Sequence, residues 1–252
     1  MNTKDQTRHW LMWDGFQRSR ERMWISPINK AIRQQYNQFI SAYKQGLPPS
    51  LAAMTITSVP IKKVMEQLYI NVGLSWANMT RLDMQRKERR PMGFNEEMTA
   101  YILQYLNGTM LEDVDNMTDT TKNDIIRAIE TAINNGYGID EIIKSLSDAN
   151  VTKQRARLIA RTEIVTASNT ASVIQANNSG LNLEKIWIAA RDNRTRQDHV
   201  AVNGTQIPLK DAFMVGGYEM QQPGDRGVDG NRTPAKEVCN CRCTVAFIKV
   251  KG

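Results

Sequence analysis

Histidine and cysteine are scarce in this chain, with two of the former and three of the latter among 252 residues, so imidazole and thiol chemistry is confined to few places. The three thiols, Cys239, Cys241 and Cys243, fall close together near the C-terminus, and His199 lies in the same last third. Long apolar runs are also missing. None approaches the roughly eighteen residues that a membrane-spanning helix needs, so no membrane partner is expected. The opening stretch from Met1 to Asp14 is polar and lacks the apolar core of a secretory leader, which makes a cytoplasm the expected place of synthesis and folding. In that reducing compartment the cysteines are expected as free thiols or metal ligands rather than as disulfides. No internal repeat and no low-complexity segment stands out. What remains is ordinary for a globular protein: 41% hydrophobic and 23% charged residues exclude a disordered chain, and the length holds one large domain or two small ones.

The net charge of +7 is unevenly placed. Residues 1–95 hold 15 Lys and Arg against 6 Asp and Glu, residues 96–158 hold 6 against 11, and residues 159–252 hold 12 against 9. The basic excess is therefore N-terminal. Arg18, Arg20 and Arg22 are interleaved with Trp10, Trp13, Phe16 and Trp24, a pattern that suits stacking on bases or filling a partner's groove. The same aromatics would equally anchor an N-terminal arm to its own domain. Arg86, Lys87, Arg89 and Arg90 make the densest basic patch, a candidate contact for phosphates or an acidic partner, with a solvated helix end as the alternative.

Helical periodicity dominates the first two thirds. Ser26 and Pro27 read as the cap and first position of a helix whose Ile28, Ile32, Tyr36, Phe39, Ile40 and Tyr43 form one face, ended by Gly46 and Pro48-Pro49. Pro60 opens a second helix along Ile61, Val64, Met65, Leu68 and Val72, which extends to the 86–90 cluster. Asn95 with Glu96-Glu97 predicts a third, stopped at Gly108. Residues 109–123, polar and threonine-rich, read as a loop. Two small helices follow, one carrying Ile125, Ile129 and Ile133 to Asn135-Gly136 and one from Asp140 to Leu146. A longer helix spans about Thr152 to Asn178 with Gly180 as its stop, and its alanines Ala160, Ala167, Ala171 and Ala176 allow close neighbours. Arg161 and Glu163, two residues apart on it, point to different neighbours.

After Gly180 the pattern changes. Residues 185–189 and 244–250 are short β-prone runs, and the glycines and prolines between them predict long, specific loops. The expected fold class is α+β: a basic helical region over 1–148, then a small loop-rich domain over 149–252.

Several spaced elements in that second part carry a resemblance. Ala160-Arg161-Thr162-Glu163 in a helix is followed by Trp187, Asp192, Thr195-Arg196, His199, Gly204, Phe213, Pro223-Gly224-Asp225 and Asn240-Cys241-Arg242-Cys243. Over about residues 150–248 this order resembles the phage Mu protein F-like family of minor head, or head morphogenesis, proteins. The resemblance implies a component of a tailed-phage head that sits in the capsid interior at or near the portal, after assembly in the host cytoplasm, and supports head assembly and DNA packaging or delivery. Its implied partners are the portal protein, the major capsid or scaffolding protein, and double-stranded DNA, which suits the basic N-terminal half.

Three chemical readings of the special residues compete. On a strand, Cys239, Cys241 and Cys243 would point to one side, and with His199 they would complete a Cys₃His set for structural zinc, although Cys-x-Cys is tighter than the usual zinc spacing and the family-like element holds only Cys241 and Cys243. Asp192, Asp198 and His199 would suit a hydrolase needing a carboxylate and a general base. ADP-ribosyl transfer, suggested by a fold-level grouping of the Mu F-like domain with such enzymes, would need an Arg, Ser/Thr and paired-Glu set or a His, Tyr and Glu set on strands, whereas Arg161-Thr162-Glu163 falls in a helix and no Glu-x-Glu occurs. The expectation is a non-enzymatic protein in which Arg161, Thr162, Glu163, Trp187, Asp192, Arg196, His199, Gly204, Asp225, Cys241 and Cys243 hold the domain's shape. Arg161 or Glu163 would then partner the 194–199 loop.

Overall fold

The computed structural model describes residues 1–88, 97–105, 107, 111–136, 139–146, 149–228 and 231–250. The first helix, α1 (Thr3–Lys44), begins far earlier than Ser26. Asn2 caps it by accepting from the Asp5 amide, and Pro27 lies inside it. An interior proline removes a backbone donor at a cost of about 3 kcal/mol. Here a buried stripe runs straight through it, from Trp13, Gln17 and Glu21 to Trp24, Ile28, Ile32, Gln35 and Phe39. Its members ahead of Ser26 include the polar Gln17 and Glu21, which is why an apolar pattern alone starts the helix too late. The Trp13 ring is fully buried, and its indole N–H donates to the Arg242 carbonyl at 3.0 Å. The arm aromatics thus anchor α1 to its own body, and Gly46 at φ 92° ends the helix.

A one-and-a-half-turn helix, α2 (Pro49–Met54), occupies what reads as a linker, with Pro49 at its first turn. The next, α3 (Val59–Glu88), runs as the sequence predicts. α4 (Met98–Tyr105) follows; its expected cap at Asn95 and stop at Gly108 lie outside the described residues. From residue 111 on, the threonine-rich stretch is no loop but the first half of α5 (Leu111–Asn134). Tertiary pairing overrides propensity there. On α1, Gln35 Nε2 donates to Thr118 Oγ1 at 2.9 Å and Gln35 Oε1 accepts from Thr121 Oγ1 at 2.9 Å, while Thr118 also bonds back to the Val114 carbonyl. Helix α6 (Ile139–Leu146) and the long α7 (Ala149–Asn177) complete the helical part, and Gly180 at φ 68° follows as the stop.

Helices α1, α3 and α7 pack together as the centre of the molecule. Gly73 of α3 permits this: a Cβ there would lie 3.4 Å from Ala171 Cβ and 2.9 Å from Ile102 Cδ1. The remaining chain is β1 (Leu183–Ile188), α8 (Gln197–Ala201), β2 (Gln206–Pro208), β3 (Phe213–Val215), β4 (Tyr218–Met220), β5 (Gly227–Val228), β6 (Asn231–Arg232), α9 (Ala235–Val238) and β7 (Thr244–Lys249). Antiparallel strands in the order β2-β1-β7 form the main sheet, with Trp187 opposite Val245. The β3–β4 hairpin turns on Gly216-Gly217, both at positive φ, the pattern of a tight two-residue turn. The class is α+β. One large core lies among the helices, and a second joins Trp13 and Trp76 from α1 and α3 to Trp187, Phe213 and Val245. Among the described residues no helix is long and apolar enough to cross a membrane.

His9 on α1 sits at this second junction, edge-on to Trp76 at 6.1 Å. Burial pushes its pKa down to about 4, opposed by Asp83 and reinforced by Lys87. The unfolded chain takes up a proton near pH 6.5 while the folded chain stays neutral, so acidification from about pH 6.5 to about pH 4 favours unfolding. Urea unfolding at about pH 7 and about pH 4.5 is expected to show the wild type losing about 2 kcal/mol more than His9→Phe on acidification. Equal losses would show that His9 titrates normally in the fold.

Candidate functional site

From Thr162 to Val173 every residue of α7 is buried, and the motif residues and two C-terminal loops hang on this segment. Just before it, the Arg161 guanidinium forks onto Glu21 of α1 at 2.9 and 3.1 Å and donates to Asn240 Oδ1 at 2.7 Å. The Thr162 hydroxyl accepts from the Asn240 amide at 2.9 Å. Glu163 faces elsewhere, accepting from Tyr69 of α3 at 2.8 Å and from Arg226 at 2.7 Å. Burial pushes the Tyr69 hydroxyl well above its usual range, and the Glu163 charge adds to this. Burial alone would lower the Arg226 pKa, but Glu163 and Asp113 outweigh it and hold the guanidinium charged. Arg161 and Glu163 therefore serve different neighbours, and neither partners the 194–199 loop as expected. Instead Glu21, a buried acid on α1 that carries no motif signal, takes Arg161, and Arg226 takes Glu163.

Further along α7, Thr166 Oγ1 donates to the Gly224 carbonyl at 3.1 Å. Asn169 Nδ2 donates to the Pro223 and Cys243 carbonyls at 3.1 and 3.2 Å, and its Oδ1 accepts from Thr244 Oγ1 and the Val245 amide at 3.0 and 3.3 Å. Asp225 closes the first loop on itself by accepting from the Gln221 and Gly227 amides. Gly204, at φ 81°, donates to the Trp187 carbonyl at 2.8 Å at the turn between β1 and β2.

The 190s loop has its own anchors. Asp192 accepts both arms of Arg242 at 2.8 and 3.1 Å and the Arg194 amide at 2.9 Å. Partial desolvation pushes that carboxyl up, but the Arg242 fork and these hydrogen bonds hold it below the usual range. Arg196 donates to the Cys239 carbonyl. His199, on α8, is buried with Trp187 edge-on at 5.5 Å. Its Nε2 lies 3.1 Å from a Glu237 carboxylate oxygen, and its Nδ1 lies 3.4 Å from Cys243 Sγ and 3.6 Å from Cys241 Sγ. Asp192 and His199 thus engage different partners and do not form one acid–base pair. Hydrogen bonds from Cys243 and His199 hold the Cys241 thiol well below its ordinary range, while burial pushes Cys243 well above it.

Cys239 does not join them. The expectation of three thiols on one strand face fails because the strand begins only at Thr244, and Asn240 at φ 59° turns the chain between Cys239 and Cys241. Among the described residues the ligand-type group is His199, Cys241 and Cys243, with all ligand atoms within 4.8 Å. Glu237, isolated in the sequence, is the partner that sequence reasoning misses. Nothing in its spacing marks it, and only the short helix α9 brings it under His199.

The basic residues fall on two clefts. Arg18 and Arg22 of α1 line one of about 520 Å³ with Arg157 and Arg161 of α7 and with Arg194 and Arg242. Asp14 and Glu21 line it too, and with Asp192 they pair Arg18, Arg161, Arg194 and Arg242. Arg20 faces away, over the Phe16 ring and against Ser75. Arg86 and Lys87 line a second cleft of about 300 Å³ with Arg8, His9 and Lys249. There Lys87 pairs with Asp83 at 2.6 Å. Arg89 and Arg90 lie outside the described residues.

Gly224 separates fastening from mere turning. At φ 85°, a Cβ there would come 2.8 Å from Thr166 Oγ1 and 3.0 Å from the Thr166 backbone, whereas Gly217 at φ 86° faces open space. Gly224→Ala is expected to cost about 3 kcal/mol in urea unfolding, and Gly217→Ala about 1 kcal/mol from the backbone conformation alone. Equal costs would remove the close approach of this loop to α7.

Residues 123–246, from within α5 to β7, match the family model for Phage Mu protein F like protein. Among curated proteins, the chain is 31% identical over 130 residues to minor head protein GP7 of Bacillus phage SPP1, covering 50% of this chain and 40% of that protein. It is 30% identical over 137 residues to NAD(+)--arginine ADP-ribosyltransferase EFV of Enterococcus faecalis (strain ATCC 700802 / V583), covering 52% of this chain and 26% of that one. The chain thus spans well under half the length of either relative. No solved structure matches it. The matched span contains α7, the Trp187 strand, His199 and the Asn240-Cys241-Arg242-Cys243 turn in one packed body, and residues 123–246 belong to the Phage Mu protein F-like family.

Proposed function

We propose that this protein is a minor head protein of a tailed bacteriophage, placed in the capsid interior near the portal, where it supports head assembly and DNA packaging or delivery. The observation that carries the DNA part is the arginine cleft between α1, α7 and the loops holding Arg194 and Arg242. Its six arginines face three carboxylates, so the site keeps an excess of positive charge. Arg22 and Arg157 are exposed at its mouth, with no carboxylate partner among the described residues. Duplex phosphates would displace counterions there without sequence preference. For the portal part, Leu51 and Met54 lie one turn apart on α2 and are 51% and 77% exposed, and Val59 at the start of α3 is 66% exposed, which offers an apolar contact. The major capsid or scaffolding protein would be met in the same compartment.

The double variant Arg22→Glu, Arg157→Glu is expected to weaken retention of double-stranded DNA and to lower the slope of log affinity against log salt by about 2. Unchanged affinity and slope would remove the cleft from the DNA reading. Co-expression with the portal protein of the same phage, followed by sizing with light scattering at low and high salt, is expected to give co-elution at one stoichiometry in both. Absence of association in either salt would sink portal docking.

A second reading rests on the match to the arginine ADP-ribosyltransferase. We favour a non-enzymatic role, because the motif acid Glu163 is buried in an ion pair with Arg226 and fastens helices together. Incubation with NAD and an arginine acceptor is expected to give no transfer and no hydrolysis. Turnover of either kind would promote the enzymatic reading.

A further inference from the structure

We infer that His199, Cys241 and Cys243 form a zinc-binding site, with Glu237 as the residue that orients the histidine and with Cys239 outside the ligand set. This goes beyond the head-protein reading and does not depend on it.

Distances carry the first step. A tetrahedral zinc with Zn–S of about 2.3 Å and Zn–N of about 2.0–2.1 Å sets neighbouring sulfur and nitrogen ligands about 3.6 Å apart. The two distances from His199 Nδ1 to the sulfurs are 3.4 and 3.6 Å, and all three ligand atoms lie within 4.8 Å of one another. The two thiols and the imidazole therefore already stand at the edges of a metal-sized polyhedron, from two separate parts of the chain.

Orientation carries the second. Metal-bound histidines commonly donate their other ring N–H to a carboxylate, which fixes the tautomer and points the free lone pair at the metal. Glu237 is 2% exposed and stands 3.1 Å from Nε2. With Nε2–H donated to it, release of the Nδ1 proton on metal binding would leave the lone pair on Nδ1, and it is Nδ1 that faces both sulfurs. The sulfurs in turn receive backbone donors: the Ala190 amide reaches Cys243 Sγ at 3.4 Å, and the Cys243 amide reaches Cys241 Sγ at 3.4 Å. Such bonds favour thiolates, the form that binds metal.

The surroundings carry the third. His199, Cys241 and Cys243 are each at most 2% exposed, with Trp187 packed against His199 and Phe213 against Trp187. A dry shell of this kind excludes competing water and strengthens charge–metal attraction. Binding would release the thiol protons to solvent and leave one tetrahedral position for a water or another small donor. The ion would tie α8 to the connector between α9 and β7, cross-linking the loops that α7 holds from the other side.

The test uses the full chain, purified in reducing buffer, equilibrated with equimolar zinc and desalted. Metal analysis is expected to find about one zinc per chain, retained in Cys239→Ser and lost in Cys241→Ser and Cys243→Ser. Glu237→Gln is expected to weaken binding about ten- to a hundred-fold without removing a ligand. If the cysteine variants do not fold, cobalt(II) added to the wild type decides, with an expected thiolate-to-cobalt charge-transfer band in the near ultraviolet and tetrahedral visible bands. Folded wild type that retains no zinc and gives no such band would overturn the site. Loss of zinc in Cys239→Ser would overturn the ligand set, and so would a Cys241–Cys243 disulfide persisting in the reducing buffer.

Discussion

Twelve consecutive residues of α7, from Thr162 to Val173, are shielded from water, and seven of them are polar. A helix buried on every face cannot leave such groups bare, because each unpaired buried donor or acceptor costs about 1–3 kcal/mol. Six of the seven find partners, and Ser168 Oγ is the exception among the described residues. Ser172 bonds back to the Asn169 carbonyl and Glu163 meets Tyr69 of α3, but most of the partners lie in segments far away in sequence: Gln222 to Gly224 and Arg226 on one side, Asn240, Cys243, Thr244 and Val245 on the other. The family motif is thus legible as a set of fasteners. Arg161, Thr162 and Glu163 lock α7 to α1, to the Asn240 turn and to Arg226. The later polar residues hang the loops that carry the thiols.

This fastening has a consequence for the surface. Arg157 and Arg161 come from α7, Arg18 and Arg22 from α1, and Arg194 and Arg242 from two loops, so no cleft exists until the loops are pinned. The same pinning sets His199 against Cys241 and Cys243. The proposed DNA contact and the proposed metal site would both draw on one constraint, the polar burial of a single helix.

Much of the architecture is readable from residues alone. The strands β1 and β7, the run of α3 from Pro60, the close-packing alanines Ala167 and Ala171, and the stop at Gly180 follow from local pattern. The misread bounds of α1 and α5 share one physical reason, polar residues at buried positions. Gln17 and Glu21, which pair with each other and with Arg161, hide the start of α1, and Thr118 and Thr121, which pair with Gln35 across the fold, disguise α5 as a loop. At the candidate site, the motif residues of α7 and the thiols are visible, but Glu237 and Arg157 carry no spacing signal, and the turn at Asn240 that excludes Cys239 is a backbone property of a non-glycine residue. Arg86 and Lys87 stand together in the sequence, yet only a folded chain adds Arg8 and Lys249 to them.

The most direct test of this picture is the equilibrium stability of Asn169→Ala together with the reactivity of its thiols. Asn169 bridges both loops through four hydrogen bonds, to Pro223, Cys243, Thr244 and Val245. Its removal strands buried backbone groups on each. The account predicts a loss of about 3–5 kcal/mol in urea unfolding and faster modification of Cys241 and Cys243 by a thiol reagent under native conditions. A variant of wild-type stability whose two buried thiols stay as protected as before would contradict the claim that α7 holds these loops in place.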